Sequence, residues 1–169
     1  MHRSEIGVRR VAPEEWQTLR DLRLRALTED ATAFGDTLEK ASARGDDDWR
    51  RYAHDGKLSV TFVATKSGRL VGMARGRVLE GGDAGLYGMW VAPNARHRGV
   101  GRNLVLAVLE WARTQPVTRV VLEVAEERPA PRALYAACGF RETGGRRPNE
   151  SHPNVVEIEM ACALGATPP

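Results

Sequence analysis

The chain has few cysteines, which cross-link small secreted folds, and no long apolar run of the kind that crosses a membrane. It has only two cysteines among 169 residues, Cys138 and Cys162, too few for a disulfide framework. No apolar run approaches the roughly 20 residues that a membrane-spanning helix needs, and no apolar signal segment follows the first residues. The sequence therefore predicts a cytoplasmic protein with no membrane partner.

A strong charge of one sign is also missing. The chain has 25 lysine and arginine residues against 22 aspartate and glutamate residues, which gives a formal net charge of +3. No basic block stands apart as a nucleic-acid-binding tail, and neither cysteine has partners at the spacing of metal ligands. We therefore expect neither a nucleic-acid partner nor a bound metal. The 42% hydrophobic content is that of an ordinary globular domain.

What the sequence does have is a basic, glycine-containing turn between two clearly patterned segments. Residues 86–91 are typical of a buried strand, and residues 103–112 are typical of a helix with one apolar face. The turn before the helix contains Arg96, His97, Arg98, Gly99, Val100, Gly101 and Arg102. The first N–H groups of a helix and forked arginine donors both suit phosphate oxygens, and glycine lets a ligand approach. On these residues alone, a solvated turn is an equal alternative.

Patterns along the rest of the chain predict an α/β fold with one mixed sheet and helices on both faces. The expected order is a strand at 6–11, a helix from Pro13, antiparallel strands at 58–65, 70–79 and 84–91, the helix after the turn, a strand at 119–124, a helix at 132–138 and a strand at 154–162. The strand at 119–124 is dense in apolar residues and is expected to be central and parallel to a neighbour. Gly72 and Gly76 are interpreted as bulges.

The turn is similar to a known family signature. Arg96, Gly99 and Gly101 form an Arg-x-x-Gly-x-Gly sequence that resembles the acyl-CoA-binding signature of the GNAT superfamily of N-acetyltransferases. Further along, Leu134 and Tyr135 precede a Gly-Phe pair, as is typical of that superfamily. The likeness covers residues 6–164, so it implies a single GNAT domain with a mixed, largely antiparallel sheet.

The resemblance implies an activity and a set of site residues. The activity is transfer of the acetyl group of acetyl-CoA, by direct attack in a ternary complex, to a small cationic amine or a protein amino group. The turn at 96–102 would hold the pyrophosphate, and the strand edge at Met89, Trp90 and Val91 would pair with the pantetheine arm. Tyr135 would be the general acid that protonates the leaving thiolate. The resemblance also leaves a homodimer open.

Arg128 and Pro131 depart from the family pattern, because they stand where the superfamily usually has Asn and Ala. The Asn commonly helps to hold the pantetheine arm. Arg128 would instead reach a phosphate or be solvated. The acidic stretch at 29–55 is either a solvated loop or an electrostatic funnel for a cationic acceptor.

The sequence also leaves the general base and the function class open. The candidate bases are Glu123, Tyr87, His54, His97 and His152, and no pattern favours one of them. A non-catalytic acyl-CoA-binding or regulatory module on the same fold is one alternative. A nucleotide-binding protein of another fold is a second.

Overall fold

The computed structural model describes residues 6–54 and 56–165, so Asp55, the end of the predicted acidic stretch, lies outside the described residues. Its strands and helices follow in order: β1 (Ile6–Arg10), α1 (Trp16–Glu29), α2 (Leu38–Ser42), α3 (Asp46–Ala53), β2 (Ser59–Lys66), β3 (Arg69–Val78), β4 (Asp83–Val91), α4 (Val100–Arg113), β5 (Arg119–Ala125), α5 (Pro129–Ala137), β6 (Arg141–Pro148) and β7 (Val156–Ala163). Within these ranges, no helix combines the length and the apolar character needed to span a membrane.

The strands form one sheet in the order β1-β2-β3-β4-β5-β7-β6. Only the β4–β5 pair is parallel, and the other described neighbours are antiparallel. This arrangement confirms the predicted mixed, largely antiparallel α/β fold. It also confirms that β5 is an inner strand parallel to a neighbour, with Val120, Leu122 and Val124 buried in the core.

Alternate residues of β3 face helices on opposite sides of the sheet. A Cβ added to Gly76 would lie 2.6 Å from the Trp111 ring, so this side of β3 packs against α4. Arg75 points the other way, and its Nη1 donates to the backbone oxygen of Tyr52 in α3 at 2.6 Å. Helices therefore cover both faces, and the face with Arg75 is called the α3 face below.

The interpretation of both glycines as bulges is wrong for Gly76. Gly76 pairs regularly with Val60 on one side and Leu86 on the other, whereas an irregularity on the β2 side does lie next to Gly72. A Cβ on Gly72 would lie 3.0 Å from Leu104 Cδ1 in α4. Both glycines thus let α4 approach the sheet more closely than a side chain would allow.

Two elements were not expected from the sequence. All eight residues of β6 are exposed, so the strand shows no alternation of apolar and polar residues. Helix α2 has only five residues, too few for a periodic pattern. The sequence also predicts a short helix at 49–52 with residues 46–48 as its cap. The structure confirms this helix as α3 but places residues 46–48 in its first turn, where carboxylates interact favourably with the positive end of the helix dipole.

The start of α1 is fixed by Glu15, which gives a prediction for acid stability. Its carboxylate accepts hydrogen bonds from Arg9 Nη1 at 2.7 Å and from the Ala12 N–H at 2.9 Å. These contacts lower the pKa of Glu15 from 4.5 to about 2. The stabilisation is therefore complete above pH 4.5 and is lost as the pH falls towards 2.

We expect Glu15→Gln to lower the free energy of unfolding at pH 7 and to flatten its decline between pH 4.5 and 2. Urea unfolding at several pH values measures both effects. Glu14→Gln is the matched control, because Glu14 is exposed and adjacent in sequence. Identical pH slopes for the native and Glu15→Gln proteins would contradict this prediction.

Candidate active site

A cleft opens where β4 and β5 separate. The two parallel strands pair only at their starts, where Asp83, Ala84 and Gly85 lie beside residues 119–121. Beyond that point, residues 86–91 and 123–125 line the two sides of a cavity of about 1080 Å³. Among the described residues, this part of β4 has no strand neighbour on the β5 side, so its backbone groups other than the Val91 oxygen, which Arg96 contacts, are available to an extended ligand.

A bulge in β4 lies inside this cleft. Met73 pairs with Trp90, but Arg75 pairs with Tyr87, so two residues of β4 stand opposite one residue of β3. The bulge includes Gly88, whose φ of +58° is the left-handed conformation that glycine adopts without strain. A bulge leaves backbone groups out of the ladder, and an N–H released in this way suits a developing oxyanion.

The turn after β4 is shaped to receive an anion. His97 and Gly99 have φ values of +58° and +83°, and Gly99 is the N-cap of α4 without a capping side chain. The backbone N–H of Asn103 donates to the Gly99 oxygen at 3.0 Å. The N–H groups of the three residues before Asn103 therefore have no acceptor within the helix. Nothing lies within 4 Å of a Cβ added to Gly99, so a ligand can approach these groups closely.

The structure brings most of the predicted site residues together. Those that line the cleft are Met89, Trp90, Val91, Arg96, His97, Gly99, Gly101, Arg102 and Tyr135. The side chain of Val100 does not, since it is 1% exposed and packs in the core, and exposed Arg98 is not part of the lining. The Trp90 side chain is also buried, so this residue offers mainly its backbone.

Asp30 at the end of α1 holds two of the arginines. Arg96 Nε donates to the Val91 oxygen at 2.9 Å, and Arg96 Nη2 lies 3.4 Å from Asp30 Oδ2. Arg128 Nη2 lies 3.1 Å from the same oxygen. Arg128 is therefore ion-paired rather than solvated or directed at a phosphate, and Arg96 ties the turn to the end of β4.

The acidic stretch is largely neutralised by arginines, which is a correction to the funnel hypothesis. Asp36 lies 2.9 Å from Arg44, and Asp47 lies 2.8 Å from Arg50. The cleft itself is lined by nine arginine and lysine side chains against four carboxylates. The described residues thus give the cleft a positive charge, which does not favour a purely cationic acceptor.

Tyr135 and Glu123 are two titratable groups of the cleft wall whose pKa values are raised. Burial raises the pKa of Tyr135, so its phenol stays protonated, and the nearby Arg128 charge opposes part of the rise. Burial also raises the pKa of Glu123, while its hydrogen bond to Arg147 opposes the shift. Both side chains line the cleft, as the fold brings α5 and β5 to its wall.

The other candidate bases differ in position. Tyr87 and His97 line the cleft, whereas His54 and His152 do not belong to its lining. The His152 ring contacts the Ala31 oxygen at 3.0 Å instead. Burial raises the pKa of Tyr87, and the charge of Glu123 adds to the rise. Within the described residues, no three His, Cys, Asp or Glu side chains cluster in a way that could hold a metal ion.

Comparison with known proteins identifies the family. Residues 16–140 match the model of the acetyltransferase (GNAT) family, so this chain belongs to that family. It is 31% identical to N-acetyltransferase 8F1 of Rattus norvegicus over 90 residues, which are 50% of this chain. It is 34% identical to mycothiol acetyltransferase of Thermobispora bispora over 121 residues, or 68% of this chain. Each match spans 41% of the relative, so the chain corresponds to about two fifths of their length.

The same fold occurs in solved structures. An acetyltransferase structure from Salmonella typhimurium, solved with its cofactor acetyl-CoA, superposes with a TM-score of 0.78 and 16% identity. The superposition covers 98% of each chain. The resemblance inferred from the two sequence motifs is therefore confirmed at the level of family and fold.

Proposed function

We propose that this protein is an N-acetyltransferase that transfers the acetyl group of acetyl-CoA to a primary amine in a ternary complex. The observation that carries the proposal is the opening between β4 and β5 directly beside the uncapped start of α4. The open space above Gly99 fits a diphosphate, and the unpaired edge at 89–91 fits the amides of a pantetheine arm. A small amine and a protein amino group are both compatible with this arrangement.

Different residues of the cleft serve different steps of the reaction. Bound acetyl-CoA supplies an acyl group activated as a thioester. The N–H groups at the start of α4 and the Arg102 side chain hold the diphosphate. A backbone N–H at the β4 bulge stabilises the oxygen charge that develops as the amine attacks the acyl carbon.

Two side chains move the protons. Glu123 accepts the proton that the attacking amine loses, because its raised pKa makes it a better base than a carboxylate with an ordinary pKa. Tyr135 gives its phenol proton to the sulfur as the carbon–sulfur bond breaks. The Arg147 guanidinium holds the Glu123 carboxylate in place through a direct hydrogen bond.

The experiment that tests the proposal measures thiol release from acetyl-CoA across a panel of amines and lysine-containing peptides. Turnover with at least one amine is the expected result. Acetyl-CoA binding with no thiol release would favour the non-catalytic acyl-CoA-binding module. Tighter binding of ATP or NAD than of coenzyme A would favour a nucleotide-binding protein instead.

Gly99→Val tests the phosphate-binding turn. Valine at position 99 must adopt a positive φ, which is strained for a residue with a Cβ. Its side chain also fills the open space before the α4 N–H groups, so we expect the Kd for coenzyme A to rise at least about tenfold. Isothermal titration measures the Kd. Gly68→Val is a matched control, because Gly68 has a φ of +75° and an equally open Cβ position but lies outside the cleft.

Both variants carry similar backbone strain, so their melting temperatures should fall by similar amounts. Only Gly99→Val should lose affinity for coenzyme A. Equal affinities for the two variants would remove the phosphate-binding role of the turn.

A further inference from the structure

One buried arginine in the cleft has donors that no described residue satisfies. Arg23 of α1 is 8% exposed, and its Nε and Nη1 atoms have no hydrogen-bond partner among the described residues. The remaining Nη2 atom lies 3.6 Å from Asp36 Oδ2, beyond hydrogen-bond distance. Buried polar groups in native proteins are nearly always paired, so unsatisfied donors on a charged group call for a partner.

Asp36 is shared between Arg23, with which it forms an ion pair at 3.6 Å, and a closer arginine. The same Asp36 oxygen lies 2.9 Å from Arg44, which is its direct partner. The Arg23 guanidinium also stacks on the Phe34 ring, with its Cζ 4.4 Å from the ring centroid, which holds its plane in place. Arg75, on the same side of the sheet, donates to neutral oxygens of Tyr52 and Thr61 and adds positive charge nearby.

The unsatisfied edge of Arg23 lies beside the position proposed for acyl transfer. A Cβ added to Gly88 in the β4 bulge would lie 3.1 Å from Arg23 Nη1 and 3.8 Å from the Tyr52 hydroxyl. Arg23 and Tyr52 both line the cleft and lie on the α3 face of the sheet. The start of α4 belongs to the helix that packs on the opposite face.

The position of Arg23 therefore separates it from the phosphate-binding turn. A coenzyme A molecule whose diphosphate lies at the start of α4 has its anionic groups at the far end from its acyl group. Before the transfer step no charge has developed on the acyl oxygen at the β4 bulge, so an anion resident beside Gly88 comes from the second substrate, which enters the cleft on the α3 face.

We propose that Arg23 binds an oxyanion of the acceptor, so that the acceptor is an amine that also carries a carboxylate or a phosphonate-like group. This inference rests on the proposed acetyltransferase function. Arg23 Nη1 donates to an oxygen of such a group beside Gly88, a charge-assisted hydrogen bond that the low polarity around Phe34 strengthens. An amine without the anion leaves the Arg23 donors unpaired, so the cleft selects against it.

Matched acceptors test this selection. L-amino acids and aminoalkylphosphonates are compared with amines of the same side chain that lack the anionic group, and thiol release gives kcat/KM for each. We expect the native protein to prefer the anionic member of a pair at least about tenfold. Acceptors with a carboxylate and acceptors with a phosphonate are tested in separate series, so the comparison also shows which oxyanion the protein prefers.

Arg23→Met is the informative variant, because methionine fills the buried space without a charge and Asp36 keeps its partner Arg44. We expect kcat/KM for the acceptors that carry the anionic group to fall by about 10²-fold, with little change for the amines that lack it. Arg20→Met on the same helix is the control, since Arg20 lies outside the cleft lining. A native preference for the amines that lack the anionic group, or an unchanged ratio in Arg23→Met, would overturn the proposal.

A binding measurement separates this proposal from the acetyltransferase proposal. With saturating coenzyme A occupying the phosphate-binding turn, methylphosphonate at constant ionic strength should raise the melting temperature of the native protein but not of Arg23→Met. Equal shifts in the two proteins would overturn the anion site even if amines are acetylated. A shift specific to the native protein, without turnover of any amine, would support the anion site and contradict the acetyltransferase function.

Discussion

Replacing Tyr135 with phenylalanine is expected to lower kcat by about 10²-fold while leaving the Kd for acetyl-CoA nearly unchanged. The substitution removes only the hydroxyl. The ring keeps its place in the wall of the cleft and its contact with Phe140, whose ring centroid is 5.9 Å away. The affinity should therefore be preserved while protonation of the leaving sulfur is lost. Steady-state kinetics with a saturating amine, together with isothermal titration of acetyl-CoA, separates the two quantities.

The pH dependence of Tyr135 adds a second test. Because burial raises its pKa above the ordinary value of 10, the phenol stays protonated throughout the neutral and mildly alkaline range. An alkaline loss of activity should therefore not come from Tyr135. Tyr87→Phe is the matched comparison, since Tyr87 also lines the cleft but is 47% exposed. A larger loss of kcat in Tyr87→Phe than in Tyr135→Phe would move the acid role to Tyr87.

Gly76→Ala is expected to lower the free energy of unfolding by about 1–3 kcal/mol. The new Cβ would lie 2.6 Å from Trp111 Cζ3 and 3.2 Å from Val108 Cγ1, and the rigid indole has little freedom to move in the core. Helix α4 must shift away from β3, and the surrounding packing is lost. Urea unfolding measures the change. Gly35→Ala is the control, because nothing lies within 4 Å of its Cβ position.

A double-mutant cycle identifies the cause of this destabilisation. In a Trp111→Leu background the ring that blocks the new Cβ is gone, so Gly76→Ala should have a much smaller effect there. The expected coupling energy is about 0.5–3 kcal/mol, as for residues in direct contact. An equal effect in both backgrounds would show that the helix and the sheet do not meet at this glycine.

Local patterns were sufficient to predict the elements that carry the site. The apolar stripe of α4, the turn with Gly99 and Gly101, and the apolar run of β5 each follow from the identity of nearby residues. Tyr135 was found through the sequence around it, and the structure places its side chain in the wall of the cleft. Its role as an acid remains a prediction.

Other features depend on contacts between distant residues and leave no local pattern. Strand β6 is recognisable only through its pairing with β7, because its residues face solvent. The partner of Arg128 is Asp30, 98 positions away along the chain. In the sequence, nothing distinguishes Arg23 from the more exposed arginines of α1. Only the packing around it shows that its side chain is buried and that its Nε and Nη1 lack hydrogen-bond partners among the described residues.

The separation of β4 from β5 also bears on the kinetic scheme. Residues from both faces of the sheet, Arg23 on one side and Gly99 on the other, border the same gap. Two reactants can thus reside there simultaneously, each arriving from its own side. The direct transfer that we propose between them needs no acyl-enzyme intermediate.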